Sequence, residues 1–213
     1  MAQVLTIELE LAASPAVIWR FLTEPALLGS WFWPARLEPV VELDPQVGGT
    51  YRISSEPAAL AVSGWILEVI AREQLQVTWR WDGEPVETQV TVQLRETRPG
   101  FSRLLLSHSG HDSAAAVDRH RQGWTDCLER LRERLENEAA VRLRAEQRIL
   151  ELASEAMDRG GLVLGEETLA AEFFDLRSGL LGELFQKFSN YQLKLALVLP
   201  QRERHGTRMV ELV

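Results

Sequence analysis

The sequence predicts an α+β fold, with a curved antiparallel sheet covered by one long helix and a small α/β unit after it. Three observations carry this. Within residues 113–136, Trp124, Cys127, Leu128, Leu131 and Leu135 recur at the spacing of one helical stripe, while Arg121, Glu129, Arg130, Arg132 and Glu133 occupy the other faces. Before this stretch come several segments of alternating apolar and polar residues separated by turn signals. Such segments make an antiparallel sheet, whose apolar face a long amphipathic helix can cover. Finally, all seven tryptophans lie between Trp19 and Trp124. That break in composition, together with the charged run 130–148, places a boundary near residue 140, giving units 1–138 and 139–213.

The elements follow in order. VLTIELEL (4–11) alternates as a half-buried strand. Ser14-Pro15 starts a helix with Ser as N-cap and Pro at the first position, where its missing N–H costs nothing. Val17, Ile18, Phe21 and Leu22 form its stripe, with Trp19 in the core or at its rim. Glu24-Pro25 restarts a short helix that Pro34 ends. Residues 36–43 read as a strand and 44–49 as a turn rich in Gly and Pro. Thr50–Ile53 begins the next strand, and 60–70 is another, with Trp65, Leu67 and Val69 opposite Ile66 and Glu68. Residues 75–81 place Leu75, Val77, Trp79 and Trp81 on one face. Asp82-Gly83 is a hairpin signal. Val86, Thr88, Val90, Val92 and Leu94 alternate next. The last strand, 101–108, puts Leu104, Leu106 and His108 together, and His111 and Asp112 fall in the turn after it. Beyond the long helix come a helix over 144–159, a Gly160-Gly161 break, a short strand at 162–164, two helices and a strand over 192–199.

Composition bounds the function. The chain has 213 residues, 46% hydrophobic and 25% charged, which suits a folded globular protein. A net charge of -8, with arginines interleaved among acids, argues against nucleic acid, whose phosphates require clustered cations. The single cysteine has no internal disulfide partner, which favours a reducing, cytoplasmic setting. MAQVLTIELEL lacks the basic start of a signal peptide, and no apolar run is long enough to span a membrane.

Six stretches carry a family resemblance: SPAVIWRFLTEPALLGSWFWP (14–34), VGGTYR (47–52), GWILEV (64–69), LQVTWRWDG (75–83), SRLLLSHSG (102–110) and HRQGWTDCLERL (120–131). With the element order, they make residues 1–136 resemble the SRPBCC superfamily, the START-like helix-grip fold. Within it they are most similar to the domain named after the activator of the heat-shock chaperone ATPase, as it occurs in small bacterial proteins. The resemblance implies a deep cavity between helix and sheet that takes apolar small molecules. It does not imply chaperone activation, which belongs to proteins with an additional chaperone-binding domain. EFFDLRSGLLGELFQKFSNYQLKLALV (172–198) makes residues 143–199 similar to a bacterial domain of unknown function. That family continues beyond its last strand with further elements, so the second unit is expected to be truncated.

The candidate ligand-binding residues are Trp31, Trp33, Tyr51, Trp65, Trp79, Trp81, His108 and Trp124. Large aromatics suit both a cavity wall and plain core packing. His108, inward on its strand, reads as a hydrogen-bonded core residue or as a polar anchor for a ligand. His108, His111 and His120 have metal-ligand chemistry, but their spacing matches no dedicated motif, so no metal and no cofactor are expected. Cys127 on the buried stripe reads as inert packing, with Arg130 facing away. In the second unit, Arg177 suits a carboxylate from Asp175 or Glu183, as a structural network at a helix start.

The expected function is non-catalytic binding of a small apolar or aromatic molecule. The alternatives are a protein-interaction or stress-response partner, including a homodimer, and a cyclase- or aromatase-like enzyme. The enzyme would lose turnover on His108→Ala with its fold intact, but no acid–base pair is visible in the sequence.

Overall fold

The computed structural model describes residues 3–200. They divide into two compact units, 1–138 and 139–213. The first unit holds one seven-stranded sheet in the order β1-β7-β6-β5-β4-β3-β2, with every neighbouring pair antiparallel. Its strands are β1 (Gln3–Leu11), β2 (Val40–Leu43), β3 (Thr50–Ser55), β4 (Leu60–Ile70), β5 (Gln74–Trp81), β6 (Thr88–Arg98) and β7 (Phe101–His111). Two helices interrupt them after β1: α1 (Pro15–Thr23) and α2 (Pro25–Phe32). As the sequence predicts, the Ser14 hydroxyl caps α1 by accepting from the Val17 amide at 3.4 Å, and each helix has Pro at its start.

A single helix, α3, runs Ala114–Arg159. The Ser113 hydroxyl accepts from the Ala116 amide at its start. The two helices expected from the sequence are therefore one, because the stretch NEAAVRLR between them holds no Pro or Gly to break the helix. Its predicted stripe is correct. Trp124, Cys127, Leu128, Leu131 and Leu135 are buried in one core with Val62, Ile66, Trp79, Val90, Val92, Leu94, Leu104 and Leu106 from the sheet. Sheet and helix each hide an apolar face that neither could leave in water.

Three local expectations fail for identifiable reasons. Residues 35–37 form a 3-10 turn, so β2 begins only at Val40. In β4 a register shift between Ile66 and Glu68 adds one residue to the ladder and reverses the alternation. Ile66 before the shift and Val69 after it therefore both face the core, while Trp65 is 54% exposed and Leu67 37%. In β7 a shift opposite Gln3 and Leu5 falls beside Gly110, whose φ of 92° is in the left-handed region. The strand thus continues past the expected turn and brings His111 back to the inner side, where it is buried.

Gly64 is required by close approach. A Cβ there would lie 2.0 Å from the Thr78 carbonyl oxygen, and the Thr78 hydroxyl already accepts from the Trp65 amide at 3.0 Å. Gly64→Ala is expected to part β4 from β5 and cost about 1–3 kcal/mol, read as a lower urea midpoint. An unchanged midpoint would show that the strands can separate freely there.

In the second unit, β8 (Leu162–Gly165) pairs in parallel with β9 (Leu195–Val198), and α4 (Leu180–Asn190) is the one α-helix between them. Three short 3-10 turns, 166–168, 171–173 and 176–178, replace the other expected helix. Leu152, Ala156, Phe173, Leu181, Leu184 and Phe188 are the centre of its core. Asp175 caps the turn at 176–178 and lies 3.4 Å from the exposed Arg177, whereas Glu183 pairs with Arg142. These polar residues serve local structure, as the sequence suggests. The strand expected over 192–199 is β9, shorter at both ends, while the question of truncation concerns residues outside the described ones.

Candidate functional site

Six of the eight candidate residues gather in one interior group, and Tyr51 and Trp65 lie apart from it. Trp31, Trp33, Trp79, Trp81 and Trp124 gather with Phe32 where α2, β5 and α3 meet. The Trp79 and Trp124 ring centroids are 5.0 Å apart, and Phe32 lies 5.9 and 6.0 Å from them. Trp33 and Trp81 stack at 6.2 Å with planes 14° apart, and Trp81 meets Trp79 edge-on at 5.8 Å. These edge-to-face and offset arrangements set positive ring edges against negative faces. Trp31 and Trp124 have hydrogen-bond acceptors for their indoles: the Phe21 carbonyl at 3.0 Å and His108 Nδ1 at 3.0 Å. The Trp79 indole N–H is buried and has no acceptor among the described residues.

Tyr51 and Trp65 lie elsewhere. Both border a cleft of about 510 Å³ with Glu42, Arg52, Arg80 and Glu87. Tyr51 is buried and donates to the Thr78 carbonyl at 2.7 Å. Burial, then the charge of Glu87, raises its pKa far above the ordinary phenol value. A second cleft of about 380 Å³, lined by Pro25, Ala26, Gly29, Ser30, Ala35, Pro39 and Val41, contains none of the eight.

His108 anchors a polar chain at the edge of the aromatic group. It is fully buried, and its Nε2 lies 2.7 Å from the Thr88 hydroxyl, which itself donates to the Trp79 carbonyl at 3.1 Å. Because Nδ1 accepts from the Trp124 indole, the proton of a neutral ring resides on Nε2 and is donated to Thr88. Burial first, and then the neighbouring His111 and His120, hold its pKa down to about 2. A ring so hard to protonate is a poor general base near neutrality.

His111 and His120 complete a cluster that the sequence concealed. The three ring centroids are 4.3, 4.7 and 4.7 Å apart. One ligand nitrogen from each ring lies within 4.8 Å of the others. A turn at His111, as its sequence suggests, would keep it apart from the other two rings, and Gly110 is the sequence signal for its inward placement. His120 extends the α3 stripe one turn before Trp124, as its spacing predicts.

Cys127 is buried, donates to the Phe32 carbonyl at 2.9 Å, and has its thiol pushed up to about 11 by burial. Arg130 does not face away: its guanidinium contacts Cys127 Sγ at 3.3 Å and donates to the Trp31 and Phe32 carbonyls at 2.9 Å. It joins α3 to the end of α2 rather than activating a thiolate. No helix among the described residues is long and apolar enough to cross a membrane.

The comparisons with known proteins agree with this architecture. Protein MLL2253 from Mesorhizobium loti superposes with a TM-score of 0.56 at 25% identity, over 63% of this chain and 98% of its own. An Hsp90 activator from Plasmodium falciparum, PFC0360w, gives 0.52 at 19%, over 62% and 96%. CalU16 from Micromonospora echinospora gives 0.51 at 24%, over 65% and 80%. No curated protein matches the chain. The family described as "Domain of unknown function (DUF4180)" matches residues 134–213. Residues 12–136 match "Activator of Hsp90 ATPase homolog 1-like protein", and the chain belongs to that family.

Proposed function

We propose that the first unit is a non-catalytic binding module for a small aromatic or apolar molecule carrying one hydrogen-bond acceptor. The observation that carries this is the Trp79 indole N–H, a buried donor without an acceptor inside a group of aromatic rings. An unsatisfied buried donor costs about 1–3 kcal/mol, and a ligand that accepts from it recovers that cost. Trp81 is only half-buried, so the Trp33–Trp81 stack is where the group reaches the surface and where a flat molecule can enter. In the metal-free protein Trp31 and Trp124 have their indoles already bonded, Trp124 to His108, which leaves the Trp79 donor open to a ligand.

Native mass spectrometry of the purified protein, under gentle and then denaturing conditions, tests this directly. A small mass released on denaturation is the expected result. Added ligand at a hundredfold excess over Kd should stabilise the fold by about 2.7 kcal/mol. Trp79→Phe removes the donor and keeps a ring, so it should weaken binding about tenfold, the effect of one lost hydrogen bond. A broad set of aromatic and aliphatic compounds that leaves the melting temperature unchanged would sink the reading.

A second reading has its own support. Trp65 and Leu67 are exposed on the outer side of β4, and large exposed apolar side chains grouped on a surface mark contact sites. A protein partner, a dimeric chaperone among them, or a second copy of the chain would use that side. Trp65→Ala should then abolish capture by the partner, or dissociate a dimer seen by light scattering, and leave small-molecule binding intact.

A further inference from the structure

We propose that His108, His111 and His120 form a binding site for a divalent transition-metal ion of the zinc type, ligated through His108 Nδ1, His111 Nε2 and His120 Nε2. Metal-binding histidines are recognised by what their other nitrogen does: it donates to a carbonyl, carboxylate or similar acceptor that fixes the tautomer and aims the lone pair. His108 and His120 have that partner. His108 Nε2 faces the Thr88 hydroxyl, which relays to the Trp79 carbonyl. His120 Nδ1 lies 2.8 Å from the Ala116 carbonyl, which can only accept. His111 has the His108 backbone as its neighbour, and its Nε2 is buried without a partner.

Three lone pairs remain. Two are covered by indoles, His108 Nδ1 by Trp124 at 3.0 Å and His120 Nε2 by Trp81 at a long 3.3 Å. The third, His111 Nε2, is buried and bare. A bare buried acceptor is costly, and the three rings stand in mutual contact around it. An ion satisfies all three at once. Neutral imidazoles suit zinc, cobalt, nickel and copper rather than magnesium or calcium. Small side-chain rotations close the rings to the spacing that Zn–N bonds of about 2.0–2.1 Å demand, and three protein ligands leave a fourth position open. The ion takes the place of the two indole N–H groups, so Trp81 and Trp124 must turn away as it enters.

The test uses the full chain without an affinity tag. Zinc is titrated in competition with a chromogenic chelator, and cobalt is titrated by visible absorption and tryptophan fluorescence. One equivalent is expected, with a low-micromolar or tighter dissociation constant and a fluorescence change that saturates at that equivalent. His111→Gln and His120→Gln should each weaken binding at least tenfold, with folding checked by circular dichroism, while His205→Ala should not alter it. Should either cluster variant unfold, the cobalt spectrum of the native chain decides: nitrogen ligation supports the site, and a thiolate charge-transfer band from Cys127 overturns it. Absence of binding, or binding that survives both cluster variants, also overturns it. Ligand release in native mass spectrometry is read on metal-free protein, so loss of either activity leaves the other standing.

Discussion

Trp124→Ala will destabilise the first unit by about 3–5 kcal/mol, the range for removing a large buried aromatic. Trp124 is 7% exposed, packs against Phe32 and Trp79, and is the donor to His108 Nδ1. Its loss opens a cavity beneath α3 and also strands a buried acceptor. Trp124→Phe separates the two effects, because it fills most of the space and still removes the donor. It should cost less than the alanine change but more than a neutral repacking. Urea denaturation at neutral pH measures both. Near-native stability of Trp124→Ala would show that α3 does not depend on this contact.

Acid will weaken the fold well above the range where carboxylates titrate. The unfolded His108 ring takes a proton near pH 6.5, whereas the folded ring, buried beside two other imidazoles, resists until about pH 2. Between those values the unfolded chain binds more protons, so stability is full above pH 6.5 and falls as the pH drops. One such group gives a slope of about 1.4 kcal/mol per pH unit, or about 2 kcal/mol lost between pH 6.5 and 5. His111 is shifted in the same direction, by burial first and by His120 next, with Asp112 opposing, and it adds to the slope. Urea midpoints at several pH values, with chelator present, should show this slope, and His108→Gln should flatten it. A flat profile in the native protein would mean that the buried rings accept protons without cost. Over the fold's expected stability of about 5–15 kcal/mol, the effect is enough to set an acid limit on the protein.

The sheet and its helix were legible because each obeys one period over a long run. In β6, Val90, Val92 and Leu94 alternate without interruption, and in α3 the stripe from Trp124 to Leu135 never slips. What the sequence hid lies at changes of phase. The extra residue in β4 puts Trp65 and Val69 on opposite faces, and the Gly110 irregularity turns His111 inward. A bulge is set by the ladder of its neighbours, so a residue-by-residue alternation passes through it with the wrong parity. The same limit explains Thr88, which reads as one more alternating strand residue until its register beside Trp79 and its hydroxyl contact with His108 are known. The hairpin and capping signals at Asp82-Gly83 and Ser14-Pro15 were local chemistry, and local chemistry is readable in one dimension.

The confinement of every tryptophan to the first unit has a spectroscopic consequence. Residues 139–213 contain no indole, so intrinsic tryptophan emission reports the first unit alone. Far-ultraviolet dichroism, by contrast, collects signal from α3, α4 and both sheets. Recorded on one heated sample, the two signals compare part with whole. Superimposable curves would mean one cooperative transition through the helix that both units share. Curves that part would let each unit be assigned its own melting temperature without cutting the chain.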